Sequence, residues 1–315
     1  MSTKSKKTLP RRVLLTVIGW VLFGAVLWFV GRALIEAIPE VDWSTVRPVP
    51  VWILGGVALY TGSLVVVDAL VRNLYGLFGV SMARPRGFVL YMVPTLGRYL
   101  PGKVLSLAGH VVIARRYGVD LSLSVAAVAL LTILGVTGAT LTGLLFLIIQ
   151  PPGVLEQGMV RWTIAAGLGL IVFALHPKVW FRLVDVGLRL FNREPLLMSP
   201  DYGSWLRLLL FMGVHVVLIV SGYAAITCGV IGSTLAQLPI LIGAICIANT
   251  LGFLAVFAPG GIGVREGVLL LLLSPTLGAG PAALFTVTLR LVQVVIDTAA
   301  AAVGLGFLGA DKKQS

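Results

Sequence analysis

Long apolar runs separated by short polar segments fill most of the chain. A helix that crosses a membrane needs roughly 20 apolar residues. Runs that approach or exceed this length lie at 13–35, 51–71, 121–149, 162–175, 205–231 and 282–308. The pattern predicts an all-α polytopic membrane protein with about six spanning helices.

Two further apolar segments are broken by proline and glycine. The first, 87–117, is interrupted at Pro101-Gly102, and the second, 238–274, is interrupted at Pro259-Gly260-Gly261. In the second segment, the glycines and the opposite charges that follow the break favour a turn, so we expect its second helical arm at 267–273. Irregular backbone at membrane depth is tolerated where it is buried in protein or lines a cavity. We therefore predict that each segment is a re-entrant helical hairpin. For 87–117, an amphipathic segment at the membrane surface is the alternative interpretation.

Basic residues predict the orientation of these helices, because Lys and Arg concentrate in cytoplasmic loops. Arg11 and Arg12 precede the first run, and Lys312 and Lys313 follow the last. Both termini are therefore expected in the cytoplasm. The loop after 121–149 reads QPPGVLEQG and has no basic residue, so we expect it outside.

This orientation predicts an inverted repeat, because each half contains two spans, a broken hairpin and a closing span. The predicted divisions are a basic cytoplasmic arm (1–12), a first half with its hairpin at 87–117 (13–150), the fourth span with an amphipathic cytoplasmic linker (151–203), the rest of the second half with its hairpin at 238–274 (204–310), and a cytoplasmic tail (311–315). Paired interrupted segments in inverted halves are typical of the substrate sites of secondary transporters.

Composition supports a membrane protein and excludes several other classes. Hydrophobic residues make up 58% of the chain and charged residues 11%, whereas soluble domains have about 25% charged residues. The net charge of +12 is spread over short loops, so we expect no nucleic-acid partner. Three distant histidines and two cysteines in apolar runs predict no metal site. Without a catalytic or nucleotide-binding motif, we expect neither an enzyme nor a cofactor.

Charged residues near the two breaks are candidates for substrate binding, because a charge in hydrocarbon costs at least ~2.5 kcal/mol. Helix N-termini and exposed backbone N–H groups favour anions, and the arginine fork suits phosphate. The predicted anion-site residues are Arg98, Lys103, Gly260, Gly261, Gly263 and Arg265. The alternative is that Arg265 and Glu266 neutralise each other or pair with charges on other helices.

The last span carries a polar face with Arg290, Gln293 and Asp297 at helical spacing. One interpretation is an internal ion pair, either Asp297 with Arg265 or Glu266 with Arg290. The other makes Asp297 or Glu266 a proton carrier that couples transport. Arg290 and Glu266 also join the predicted substrate site. Asn249 either lines the pocket or forms interhelical hydrogen bonds.

Two stretches, GRYLPGKVLSLAGH at 97–110 and APGGIGVREG at 258–267, resemble the signature stretches of the lysylphosphatidylglycerol-synthase transmembrane-region family. The resemblance implies movement of a lipid with a modified anionic head group, or with a polyprenyl or hopanoid tail, across a bacterial or archaeal plasma membrane. The positions that match its motifs are Arg98, Pro101, Gly102, Lys103, Gly260, Gly261, Gly263, Arg265 and Glu266.

The leading hypothesis is a lipid transporter, or flippase, that moves a phosphate-bearing or modified lipid across the plasma membrane. The alternative is an accessory protein that binds lipid and scaffolds a lipid-modifying or glycosyl-transferring enzyme without moving anything. The chain contains no soluble synthase domain, so we do not expect it to make the modified lipid. A homo-oligomer and a lipid-modifying enzyme partner are left open.

Overall fold

The structure is a computed structural model that describes residues 46–99, 104–151, 201–232, 235–255, 258 and 261–311, with isolated positions at 28, 39, 182 and 186. The spans predicted at 13–35 and 162–175, the arm 1–12 and almost all of the linker before residue 201 lie outside the described residues. The described residues thus fall into two main parts of the chain, one before and one after this linker.

The described residues form eight α-helices and no strand. The helices are α1 (Pro50–Leu77), α2 (Arg86–Thr95), α3 (Val104–Arg116), α4 (Leu121–Ile149), α5 (Tyr202–Ile231), α6 (Leu238–Leu254), α7 (Val264–Leu277) and α8 (Ala279–Asp311). Short 3₁₀ turns at Leu96–Tyr99 and Leu235–Gln237 follow α2 and precede α6. Within the described residues, five helical segments are long and apolar enough to cross a membrane: α1, α4, α5, Leu235–Leu254 and Ala279–Ala310. The prediction of an all-α membrane protein is confirmed.

Most helix bounds agree with the apolar pattern. The exception is the start of α7, which carries Arg265. Helix α4 covers the predicted run 121–149, and α1 continues six residues past its predicted end at 71. The second arm of the second hairpin was expected at 267–273, but α7 begins at Val264. That bound was wrong because the Glu266 carboxylate accepts from the backbone N–H of Gly263 at 2.6 Å and caps the helix. Arg265 and Glu266 therefore lie in the first helical turn.

Helices α2 and α3 form a helical hairpin whose two ends lie together. The Arg86 guanidinium, at the start of α2, lies 4.8 Å from the centre of the Tyr117 ring, just after α3. The start of α2 is fixed to α1, because the Phe88 N–H donates to the Asp68 carboxylate at 3.0 Å. Asp68 also pairs with Arg72 at 2.9 Å. The depth of this hairpin in a membrane stays a prediction.

Each closing helix packs against the first arm of the other hairpin. Helix α4 packs along α6, where a Cβ on Gly243 would lie 2.6 Å from the Leu147 side chain. Helix α8 packs along α2, where a Cβ on Gly304 would lie 2.8 Å from Val93. Small residues let membrane helices approach closely, so glycine fixes both crossings.

Helices α1 and α5 form the most extensive contact between the two described parts. A Cβ on Gly56 would lie 2.8 Å from the Gly222 carbonyl, and a Cβ on Gly229 would lie 2.8 Å from the Ile53 nitrogen. At the end of this crossing, the Val49 N–H donates to the Gly229 carbonyl at 2.7 Å. Backbone therefore meets backbone over several turns of both helices.

Candidate functional site

A cavity of about 340 Å³ lies between the two hairpins and helices α4, α5 and α8. Most of its wall is apolar, from residues such as Leu131, Val216 and Phe253. Its polar lining residues are Tyr91, Thr95, Ser106, His110, Thr132, His215, Tyr223, Asn249, Thr250, Arg265, Gln293 and Asp297. The cavity thus combines an apolar wall with a small set of polar groups from seven helices, as ligand pockets do.

Arg265 brings a positive charge to this cavity from the first turn of α7. Its Nη2 donates to the Gln293 Oε1 of α8 at 2.9 Å and to the Asn249 Oδ1 of α6. Its side-chain stem lies directly on Gly252 of α6, where any Cβ would collide with the arginine Cγ. Contacts with α6 and α8 therefore fix the orientation of the guanidinium.

The tip of the second hairpin is shaped by glycines in the left-handed region. Gly261 has φ +72° and Gly263 has φ +85°, conformations that L side chains adopt at a steric cost. The Gly261 N–H donates to the Ala258 carbonyl at 2.9 Å, and the Gly263 N–H donates to Glu266. These two N–H groups are thus bound within the tip, and neither of these described glycines lines the cavity.

Glu266 and Arg290 form an ion pair between α7 and α8. The Arg290 Nε lies 3.8 Å from the Glu266 Oε1, and both side chains are largely buried. This is one of the two internal pairs that the sequence suggested. Neither residue lines the cavity, so the structure separates them from Arg265 although Glu266 is its neighbour in sequence.

Asp297 lines the cavity one helical turn after Gln293. It is 2% exposed. Its Oδ1 accepts hydrogen bonds from the Tyr223 hydroxyl at 2.5 Å and from the Tyr60 hydroxyl at 3.2 Å. Buried carboxylates need such donors, because an unsolvated carboxylate is costly. Tyr223 lines the cavity and Tyr60 does not.

Two histidines that the sequence analysis did not select also line the cavity. The His215 Nδ1 lies 3.2 Å from the Ser63 carbonyl and its Nε2 lies 3.3 Å from the Tyr91 hydroxyl. The His110 Nε2 lies 2.9 Å from the Tyr75 hydroxyl. In the sequence, the signal for each was a histidine within an otherwise apolar helix. That signal does not show which group the imidazole binds, and only the structure identifies the partner. Among the described residues, no three His, Cys, Asp or Glu side chains are grouped to hold a metal.

The family model for the lysylphosphatidylglycerol synthase TM region matches residues 16–301. The chain belongs to this family. No curated protein matches it by sequence. The family match and the five candidate spans make the protein a multi-pass membrane protein with a lipid-related function.

Several predicted site residues of this family member cannot be placed beside Arg265. Lys103 and Gly260 lie outside the described residues, and Arg98 belongs by its backbone to the 3₁₀ turn after α2. Their convergence with Arg265 stays a prediction. The described candidates separate into two groups: Asn249, Arg265 and Asp297 line the cavity, whereas Gly261, Gly263, Glu266 and Arg290 shape or support the second hairpin.

Proposed function

We propose that this protein is a lipid transporter, or flippase, that binds the phosphate-bearing or modified head group of a membrane lipid beside Arg265. The observation that carries the proposal is an arginine lining a cavity while bound to two neutral amide oxygens. The contacts with Asn249 and Gln293 orient the guanidinium, and both partners are neutral amides. An oriented guanidinium fork suits the oxygens of a phosphate.

The size and lining of the cavity suit a head group. A volume of about 340 Å³ lies within the usual range for small-molecule sites, roughly 300–1,000 Å³. Apolar lining residues from α4 and α5 surround the polar groups, so part of an acyl or prenyl chain has a compatible surface next to the head group.

Movement across the membrane is supported by the arrangement of the helices. In an inverted repeat, a contact between the closing helix of one half and the hairpin of the other should recur with the halves exchanged. The contacts of α4 with α6 and of α8 with α2 have this relation. We propose that the halves rock about the cavity and expose it alternately to the two sides, as in other inverted-repeat transporters.

We further propose a bacterial or archaeal plasma membrane with both termini in the cytoplasm. The basic residues at both ends of the sequence support this orientation. Labelling of single cysteines introduced near each terminus, in intact and in opened cells, tests it. Labelling in intact cells by an impermeant reagent would contradict it.

Reconstitution tests the proposed transport. The purified full-length chain in phosphatidylcholine vesicles should move a fluorescent phosphatidylglycerol between leaflets faster than protein-free vesicles do, measured by quenching with a reductant that cannot cross the membrane. We expect Arg265→Gln to slow this movement at least about tenfold, because loss of a charge-assisted phosphate contact costs a comparable factor in affinity. Arg207→Gln removes an exposed charge at the start of α5 and should leave the rate unchanged.

Two outcomes contradict the proposal. If Arg265→Gln transports like the unmodified chain, the cavity arginine does not bind the substrate. If the chain binds the fluorescent lipid without moving it, the accessory and scaffolding role takes the place of transport. Both variants should be present in the vesicles in equal amounts. Their thermal unfolding should match that of the unmodified chain, which excludes a loss of transport through misfolding.

A further inference from the structure

The buried carboxyl group of Asp297 is bonded to hydroxyl groups. Its Oδ1 accepts from Tyr223 at 2.5 Å and from Tyr60 at 3.2 Å. A hydroxyl can donate or accept, whereas a backbone N–H or an arginine can only donate. Tyr223 can therefore donate to the ionised carboxylate and accept from the protonated acid, so this hydrogen bond is compatible with both states of Asp297.

Other described carboxylates are bonded to groups that can only donate. Each of the following accepts from a backbone N–H: Asp68, Asp120, Asp201 and Glu266. Glu266 also pairs with Arg290. A proton on Glu266 would weaken the ion pair that joins α7 to α8. Of the two carboxylates that the sequence suggested as proton carriers, the hydrogen bonding thus favours Asp297.

Asp297 is also the acidic residue among the described residues that line the cavity. It lies four residues after Gln293, which binds Arg265, and four residues of helix rise roughly 6 Å. A carboxylate and a phosphate bound beside Arg265 would therefore lie close enough to repel each other. The other titratable or charged groups that line the cavity are Tyr91, His110, His215, Tyr223 and Arg265.

We propose that Asp297 takes up a proton when an anionic lipid binds beside Arg265 and releases it on the other side of the membrane, so that lipid transport is coupled to proton movement. This rests on the proposed function, because the anion is assigned to Arg265. The proton enters from the side on which the lipid binds and resides on the Asp297 carboxyl. Each tyrosine has its own hydroxyl hydrogen before and after the cycle.

Charge balance is the physical reason for this coupling. Without lipid, the charges of Arg265 and an ionised Asp297 sum to zero. With lipid, the charges of Arg265 and the phosphate sum to zero only when Asp297 is protonated. A net charge inside a membrane is costly, so these two neutral combinations are the ones that can change their access between the two sides. Lipid binding and proton binding are then linked, and each favours the other.

A pH difference across vesicles tests the coupling. The purified full-length chain is placed in phosphatidylcholine vesicles with a trace of fluorescent phosphatidylglycerol, and potassium with its ionophore holds the membrane potential at zero. At equilibrium the fluorescent lipid should be enriched in the leaflet that faces the higher pH, by up to about tenfold per unit of pH difference if one proton accompanies each lipid. The impermeant reductant measures the ratio, and protein-free vesicles give the background.

A membrane potential without a pH difference gives the opposite test. A lipid anion that crosses with one proton carries no net charge, so the potential alone should leave the two leaflets equal. If the potential enriches one leaflet and the pH difference does not, the anion crosses without a proton and the coupling is refuted.

Substitution of the two carboxylates locates the proton. Asp297→Asn should leave the lipid equally distributed under the same pH difference. The final ratio does not depend on the rate, so a variant that is only slower still reaches the ratio of the unmodified chain. Glu266→Gln is the matched control, because Glu266 does not line the cavity, and it should reach that ratio. If Asp297→Asn reaches it as well, another group carries the proton and the assignment is overturned.

Proton uptake on binding tests the same assignment without transport. Phosphatidylglycerol is added to the purified full-length protein in weakly buffered detergent, and binding is measured by competition with the fluorescent lipid. A pH-indicating dye should report uptake of about one proton per bound lipid, as the linkage requires. Asp297→Asn should bind without this uptake, and unchanged uptake would overturn the proposal. If Asp297→Asn does not bind, Asp297→Glu must restore binding together with uptake, and any other result contradicts the proposal.

The outcomes separate this inference from the proposed function. If the protein equilibrates the lipid between leaflets but the pH difference leaves them equal, the coupling fails and the transporter stands. If the lipid moves no faster than in protein-free vesicles, the proposed function fails and the coupling fails with it.

Discussion

The two hairpins, α2–α3 and α6–α7, are fastened in the same way but present different chemistry to the cavity. In each, a carboxylate accepts from a backbone N–H at the start of a helix and pairs with an arginine. Asp68 binds the Phe88 N–H and Arg72, and Glu266 binds the Gly263 N–H and Arg290. The ion pairs of both hairpins lie outside the cavity lining.

The difference lies in what each hairpin contributes to the cavity. The first provides Tyr91 and His110, whose groups are neutral hydrogen-bonding partners, and the second provides Arg265 with Asn249. Among the described lining residues, the fixed positive charge therefore comes from the second hairpin. The carboxylates of Asp68 and Glu266 thus hold the starts of α2 and α7 through backbone N–H groups, whereas the cavity-lining side chains differ in charge between the two hairpins.

The largest expected effect concerns the glycine at which the two arms of each hairpin meet. It tests whether stability and binding depend more on Gly252 in the second hairpin than on Gly109 in the first. Gly252→Ala should lower the free energy of unfolding by about 1–3 kcal/mol, because its methyl group overlaps the Arg265 stem and overpacking carries such a cost. It should also abolish head-group binding by displacing the guanidinium. Denaturation of the purified protein in mixed micelles measures the first effect, and lipid competition measures the second.

The matched change in the first hairpin is Gly109→Ala, because a Cβ on Gly109 would lie 3.5 Å from the Pro94 Cβ, an ordinary contact. We expect it to be nearly neutral for both stability and binding. Equal losses for Gly109→Ala and Gly252→Ala would remove this difference between the hairpins.

Replacing the carboxylates of Asp68 and Glu266 should give a smaller difference in stability between the two hairpins. Asp68→Ala should destabilise by about 1–3 kcal/mol, since it leaves the buried Phe88 N–H without its acceptor. Glu266→Ala should cost less, because its Arg290 pair spans 3.8 Å against 2.9 Å for Asp68 with Arg72. Thermal unfolding in detergent ranks the two variants.

Amide variants separate the helix-start bond from the ion pair. Asp68→Asn and Glu266→Gln keep an oxygen that can accept from the N–H but lose the charge, so each should recover part of the stability lost in the alanine variant. If an amide variant is as unstable as the corresponding alanine variant, the ion pair carries the whole effect at that hairpin.

The smallest effect concerns the connections that follow the hairpins. After the first, the Asp120 carboxylate accepts from the Ser122 N–H at 2.7 Å and caps α4, whereas Gly278 precedes α8 after the second. The Ser122 N–H holds the pKa of Asp120 below its ordinary value. The stabilisation is thus present above the unfolded-state pKa and is lost as the pH falls through the lower, folded-state pKa.

The corresponding experiment compares the unmodified chain with Asp120→Asn. The unmodified chain should unfold at a slightly higher temperature at pH 6, and the difference should shrink as the pH approaches 3. A difference that grows on acidification would contradict the cap. Because Asp120 is exposed, the effect should stay small at every pH.

The helices were more predictable from the sequence than the site. Helix α4 matches the predicted run 121–149 because its whole length is apolar, and the structure shows the Asp120 cap at its start. Helix α7 was predicted too short, because charges next to glycines suggested a turn. A capped helix start and a turn have the same local composition, and only the bond from Gly263 to Glu266 distinguishes them.

Residues that line the cavity could be predicted from the sequence, but their hydrogen-bond partners could not. Arg265, Asn249 and Asp297 were selected from charge and polarity within apolar runs, and the structure places all three on the cavity. Their partners were not predictable, since Asp297 bonds to tyrosines 237 and 74 residues away in sequence. Arg290 and Asp297 share a polar helix face, but one pairs with Glu266 and the other lines the cavity. Spacing along one helix cannot separate these roles.

The glycine crossing of α1 with α5 has a consequence for biosynthesis. The contacts of Gly56 need Gly222 and Ile226, which leave the ribosome more than a hundred residues later. Among the described helices, it is α5 that fills the groove of bare backbone at Gly56 of α1, so this contact is missing until α5 is made. A nascent chain arrested shortly before residue 200 should therefore be recognised by membrane quality control as incomplete, even though helices α1 to α4 have already been made.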